Sequence, residues 1–148
     1  MTEITSVEAE NRVLLRDAFG AWQAGSAHIT AIFAPEMTWR IEGRSVSSKD
    51  YGSRQAFIDE VLTPFGARFV DGEPFRPVTI HGVYADGDMV IVHWDGHGVA
   101  NDGEPYDNAY VWLMRLRDGQ VVDGVAFFDS IAFDELWNRV RPAPPVAR

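Results

Sequence analysis

Three of its Asp-Gly pairs constrain this chain more than any other feature: Asp86-Gly87, Asp102-Gly103 and Asp118-Gly119. Each stands between runs of β-branched and aromatic residues. Asp and Gly tolerate the positive φ of a tight hairpin turn, so the pairs predict chain reversals between strands. Four antiparallel strands follow, over 76–85, 88–99, 106–117 and 120–128, joined as a meander. The side-chain period there is two: Trp112, Met114 and Leu116 make an apolar face, and Arg115 and Arg117 a polar one.

The rest of the chain reads as helices. A helix is expected over 5–24, with a Thr5/Glu8 capping box and an apolar stripe through Val13, Leu14, Ala18, Ala21 and Trp22. Gly25 stops it, and a short second helix over 27–33 ends at Pro35. A strand over 37–42 and a polar loop over 43–52 come next. Ser53 caps a third helix whose one side carries Ala56, Phe57, Val61, Leu62 and Phe65, and which Pro64 should kink or end. Asp129 caps a last helix holding Ile131, Phe133, Leu136, Trp137 and Val140. There is no repeat or dividing linker, so 1–141 reads as one domain and 142–148 as a flexible Pro-rich tail. Helices segregated from a meander give an α+β fold. The expected form is a cone-shaped, curved antiparallel sheet with helices on its concave face and a small-molecule pocket at its mouth.

Composition narrows the function. A formal charge of −9 repels phosphate backbones and anionic lipid, so neither nucleic acid nor a membrane surface is an expected partner. The absence of Cys excludes disulfides, thiolate metal sites and a Cys nucleophile. No apolar run is long enough for a transmembrane helix. The acidic start MTEITSVEAE lacks the basic and apolar regions of a secretory signal, so the cytoplasm is the expected compartment.

Particular residues carry a resemblance: Ala24-Gly25, the stretch from Phe33-Ala34-Pro35 to Thr38-Trp39, the stretch from Gly103-Glu104-Pro105 to Ala109-Tyr110, Arg117-Asp118-Gly119-Gln120-Val121, and Phe127-Phe128-Asp129. In this order they resemble the nuclear-transport-factor-2-like superfamily, in its SnoaL-like or ketosteroid-isomerase-like branch. The resemblance spans nearly the whole chain and implies the cone fold, a homodimer and a hydrophobic small-molecule ligand. It also implies positions for known chemistries. The ketosteroid isomerase tyrosine would fall on Ala18, its base on Ile41 and its second aspartate near Tyr110–Trp112. The polar set of the limonene-epoxide hydrolases would fall on Trp39, Ile41, the region of Trp94 and Gly96, and Ala126. Both sets are replaced by apolar or small residues.

The polar residues left for chemistry centre on His93-Trp94-Asp95-Gly96-His97. His97 beside Asp95 is a plausible acid–base pair, because a carboxylate fixes the imidazole tautomer. A tight turn at Asp102-Gly103 would pair His97 with Asn108 and Asp95 with Tyr110, facing the pocket. A looser turn would pair Trp94 with Trp112 and Gly96 with Tyr110, and turn the histidines outward; Pro105 and the apolar Val90, Val92 and Trp94 favour it. His93, Asp95 and His97 could be offered as metal ligands, but a solvated strand face is the plainer reading, and no metal or other cofactor is expected. His28 and His81 stand alone in the sequence and read as surface residues. Asp129 is either a base at the pocket end or the helix cap. Trp22, Trp39, Ile41, Trp94, Tyr110, Trp112 and Phe128 are the expected substrate-binding wall, with Asn108 as its polar anchor and with Gly124 and Ala126 leaving space. The function expected is cofactor-independent acid–base catalysis (isomerase, cyclase, dehydratase or hydrolase) on an apolar ring; the alternative is a ligand-binding or dimeric accessory protein.

Overall fold

The computed structural model describes residues 6–143. Thr5 and the tail residues 144–148 lie outside the described residues. Helix α1 (Val7–Ala24) starts at Ser6, whose hydroxyl accepts from the Ala9 N–H, and ends at Gly25 with φ 78°. The short second helix is a single 3₁₀ turn, Ile29–Ile32. Strand β1 (Phe33–Ile41) begins earlier than the 37–42 pattern, and β2 (Asp50–Tyr51) is a two-residue addition. Ser53 caps α2 (Arg54–Phe57), which runs through a π-helical turn (Ile58–Leu62) into α3 (Thr63–Gly66). Pro64 does not end this segment. The wider turn ahead of it, in which the Thr63 N–H reaches the Ile58 carbonyl, absorbs the donor that proline lacks.

The meander is β3 (Arg76–Asp86), β4 (Met89–Val99), β5 (Pro105–Arg117) and β6 (Gln120–Phe128), and α4 (Ser130–Arg139) closes the described chain. The order β2-β1-β6-β5-β4-β3 makes one curved, unclosed sheet of six strands, and the fold is α+β as the sequence indicates. The sheet is antiparallel except where β1 lies parallel to β6. That ladder breaks between Phe33 and Thr38, which leaves Pro35 outside the pairing.

The Asp-Gly pairs at 86–87, 102–103 and 118–119 make three different turns. Asp118 (φ 52°) and Gly119 (φ 77°) form the two-residue I′-type reversal the sequence announces. At the first pair Asp86 still pairs with Met89, so Gly87 and Asp88 turn the chain. At the middle pair Ala100 bonds Glu104, leaving a three-residue loop in which the Asp102 carboxylate accepts from the Glu104 N–H at 3.1 Å. This loop sets a register that neither sequence alternative gives: Trp94 opposite Tyr110, Gly96 opposite Asn108 and His97 opposite Asp107. It lies two residues from the looser alternative, and an even shift preserves the faces.

Two buried clusters fill the inside. The larger joins α1 to the sheet through Phe19, Trp22, Trp39, Trp94 and Trp112; the smaller joins Phe65 and Phe69 to Phe133 and Leu136 of α4. Buried Arg68 fastens the second cluster by donating to the carbonyls of Pro64, Trp137 and Val140 while lying over the Trp137 ring. Its cationic charge meets the carbonyl-rich end of α4 rather than a carboxylate. One expectation is corrected here. A Cβ on Gly124 would sit 2.1 Å from Cζ3 of Trp39, the residue paired with it across the β1–β6 ladder, so that space is filled.

Candidate functional site

The concave face holds a partly open cavity of about 200 Å³. Its floor comes from alternate residues of the sheet: Trp39 and Ile41, Trp94, Tyr110 and Trp112, and Ala126 and Phe128. Trp22 of α1 and the apolar stripe Phe57, Val61, Leu62 and Phe65 cover it, and His28, Phe75 and Phe133 also line it. The aromatic rings brace one another. Trp94 stacks on Tyr110 at 4.4 Å between centroids, and Trp112 meets Trp94 edge-on at 5.1 Å and Trp39 at 4.9 Å.

Seven of the eight residues expected to bind substrate line this cavity: Trp22, Trp39, Ile41, Trp94, Tyr110, Trp112 and Phe128. Asn108 does not, although it is buried on the same face of β5. Its amide is spent inside the protein: Nδ2 donates to the Tyr106 hydroxyl at 2.6 Å and to the Asp129 carbonyl at 3.0 Å. Oδ1 accepts from the Ala109 and Asp129 N–H groups. Asn108 therefore ties β5 to the junction of β6 and α4, and a ligand would have to displace those bonds to use it.

The expected acid–base residues lie elsewhere. Asp95 and His97 are on the outer face of β4, each with another partner: Asp95 with His81 at 2.9 Å, and His97 with Asp107 at 2.7 Å. His93 stacks on His81, ring centroids 4.4 Å apart. Asp129 caps α4 by accepting from the Ile131 and Ala132 N–H groups. Asp95, Asp107, Asn108 and Asp129 border a shallow depression that shares no lining residue with the cavity. Among the described residues no group of three His, Asp or Glu is placed to hold a metal ion.

The titratable side chains in the cavity wall are His28 and Tyr110. His28 caps the 3₁₀ turn, with Nδ1 accepting from the Thr30 N–H at 3.2 Å and its ring 4.8 Å from that of Trp22. Its side chain is exposed at the cavity rim, and partial desolvation there lowers its pKa, so the imidazole is neutral near pH 7. With Nδ1 as acceptor, the proton sits on Nε2. The Tyr110 hydroxyl is 2.8 Å from that of Tyr106. Burial pushes Tyr106 up to about 12 and Tyr110 well above the ordinary phenol value, so both keep their protons. His28 escapes sequence reasoning because its neighbours form no motif. The stripe from Phe57 to Phe65 carries a signal, since it is one apolar helix side, but the sequence does not say what that side covers.

The sequence model for the SnoaL-like domain matches residues 15–124. The chain belongs to the SnoaL-like domain family. Solved structures agree with this assignment. Bal32a, from a soil-derived mobile gene cassette, is 26% identical with a TM-score of 0.68, covering 88% of this chain and 98% of its own. A cystatin-like-fold protein of Xanthomonas campestris is 25% identical, TM-score 0.68, covering 86% and 97%. A candidate SnoaL-like polyketide cyclase of Jannaschia sp. CCS1 shares the fold at 20% identity, TM-score 0.68, covering 98% and 100%. A search of curated proteins gives no match. In this SnoaL-like domain Trp39, Ile41 and Ala126, where the resemblance places polar catalytic groups, stand in the cavity wall as apolar side chains. Among the described residues no helix is long and apolar enough to cross a membrane.

Proposed function

We infer that this SnoaL-like domain binds a compact, apolar ring compound inside its cone. The partly open aromatic cavity of about 200 Å³, with no carboxylate in its wall, carries this reading. An engineered apolar cavity of about 150 Å³ stays dry and takes benzene, so this one has room for a somewhat larger ring system. Tetralin is a suitable probe. Four of the five tryptophans line the cavity, so binding should give a saturable change in tryptophan emission. Ala126→Phe, which projects into the cavity, should abolish that change while the far-ultraviolet spectrum stays the same. A wild-type titration without saturation would sink the reading.

A second reading is catalytic, and His28 favours it. It is the one imidazole among the residues lining the cavity, and its neutral form offers Nε2–H as a hydrogen-bond donor that polarises a carbonyl rather than as a proton source. Cofactor-independent catalysis on a bound ring would then use His28 to polarise the reacting group, rather than His97, Asp95 or Asp129 as acid or base. His28→Gln should remove such turnover and keep tetralin binding; turnover that survives the substitution rejects His28.

The outer sheet face supports a homodimer as well. Two rows cross it side by side, Tyr84–Ile91–Leu113–Val125 and His93–Val111–Phe127, with Tyr84 59% and Phe127 49% exposed. Light scattering at micromolar concentration should give twice the 16.5 kDa chain mass; a monomer mass rules the dimer out.

A further inference from the structure

We propose that Gly66, the last residue of α3, is the sill of the opening through which a ligand enters and leaves the cavity, so that its missing side chain sets the width of that opening. This rests on the cavity-binding reading and adds the route and the residue that limits it.

Two residues that line the cavity are exposed to solvent, His28 and Gly66. Leu62, Pro74 and Phe75 are half-buried, whereas Trp39, Trp94, Tyr110 and Trp112 on the sheet are buried. Half-buried Phe128 is covered by Phe133 of α4, ring centroids 5.0 Å apart. The opening therefore lies on the helical side of the cone, among the start of the 3₁₀ turn, the end of α3 and the chain leading into β3. A surface depression lined by Thr30, Ile58 and Thr63 shares His28 and Leu62 with the cavity, so those two side chains part the cavity from solvent on one flank.

The other parts of this rim are held in place. His28 is tied to the 3₁₀ turn, where Nδ1 accepts from the Thr30 N–H. The Phe75 ring meets that of Phe65 edge-on at 5.0 Å, and the Pro74 ring fixes its own φ. Leu62 and Gly66 stand four residues apart on one helical segment and so share a face, from which the Leu62 side chain lines the cavity. Helical side chains lean towards the helix N-terminus, so a side chain at position 66 would lie back over the turn that carries Leu62. That direction takes it across the opening.

Nothing in the backbone or the packing asks for glycine there. Gly66 is not among the glycines with positive φ, and a Cβ built on it would meet nothing within 4 Å beyond its own stretch of helix. Gly124 is the opposite case, since its Cβ is blocked by the Trp39 ring. A helical glycine is less stable than alanine by about 1 kcal/mol. The chain thus forgoes helix stability at a position where a side chain would fit without strain. The space which that side chain would take is the entrance.

Stopped-flow mixing with tetralin, followed by tryptophan emission, tests the proposal. A narrowed opening raises the barrier equally in both directions, so Gly66→Leu should slow association and release together by about tenfold, and Gly66→Ala by less. The Kd should stay within about twofold of wild type, because the cavity behind the opening is unchanged. Gly20→Leu is the matched control: it lies in α1, has the same free space and does not line the cavity, so both rate constants should stay as in wild type. Gly66→Ala should also raise the melting point. If Gly66→Leu leaves both rate constants unchanged, weakens binding through faster release, or loses the far-ultraviolet spectrum of the fold, Gly66 is not the opening, while the cavity reading stands. Equal slowing by Gly20→Leu overturns the proposal in the same way. If wild type gives no saturable change with tetralin, the cavity reading fails and this inference with it.

Discussion

On β4, Trp94 and Gly96 face inward and His93, Asp95 and His97 outward, and the two faces are built on opposite physical principles. Inward, Trp94 is fully buried among rings, its indole N–H unpaired. Outward, Asp95 and His97 are part-exposed and each is paired across the sheet within about 3 Å. The residues richest in acid–base chemistry are thus on the side where water screens them, and the cavity is left with rings, an imidazole and one phenol. The difference teaches that a polar cluster in a sequence is not evidence for a site until its face is known. Here a three-residue loop at Asn101-Asp102-Gly103 decides the face.

The contrast can be broken by substitution, and the inner face should respond most. Gly124→Leu drives a side chain into the Trp39 ring and should lower stability by ~3 kcal/mol, which urea denaturation measures. A neutral effect would mean that Trp39 yields easily. Asn108→Ala removes the partner of buried groups on Tyr106, Ala109 and Asp129 and should cost about 2 kcal/mol. Asp129→Ala, at the boundary between the faces, should cost about 1 kcal/mol as a lost helix cap. Loss of activity with an unchanged melting point would instead make it a catalytic group. His97→Asn on the outer face should change the melting midpoint by less than about 0.5 kcal/mol would.

The smallest effect is a pH dependence. Asp102 is held below its ordinary value of 3.8 chiefly by its bond to Arg139. A lowered carboxyl pKa stabilises the fold above the unfolded value, and the contribution is lost as pH falls through the folded one. Asp102→Asn should therefore flatten the acid limb of a stability curve below about pH 4 and lower the neutral plateau by the small contribution lost, without changing its slope. His28 acts in another window. Its depressed pKa penalises the folded state as pH falls below its ordinary 6.5, so His28→Gln should flatten the slope there.

How much of this was legible in the sequence depends on distance along the chain. The Asp118-Gly119 reversal, the Ser53 and Asp129 caps and the inward aromatic set are local signals, and each appears in the structure where the residues place it. The filling of Gly124 by Trp39 was not legible, because it depends on which strand lies beside β6, and β1 comes from the far end of the sequence. Asn108 was legible as a buried amide needing partners, but not as one satisfied by Tyr106 and the start of α4. The looser register at Asp102-Gly103 missed by two residues, so its faces survived while every individual pair moved; the tight alternative missed by one, and its inward histidines did not survive.

The parallel seam between β1 and β6 also orders events in time. It joins Phe33 to Val121 and Ile41 to Ala126, so the first strand made must wait for the last. During synthesis the hairpins of β3 to β6 can zip as they emerge, since their contacts are local. Until β6 exists, Met37, Trp39 and Ile41 have no sheet to join, and they remain an apolar strand open to other chains. Docking of that strand lays Trp39 over Gly124 and adds Trp39 and Ile41 to the cavity wall. The cavity can therefore close only after β6 and α4 have emerged, so its wall joins the two ends of the chain.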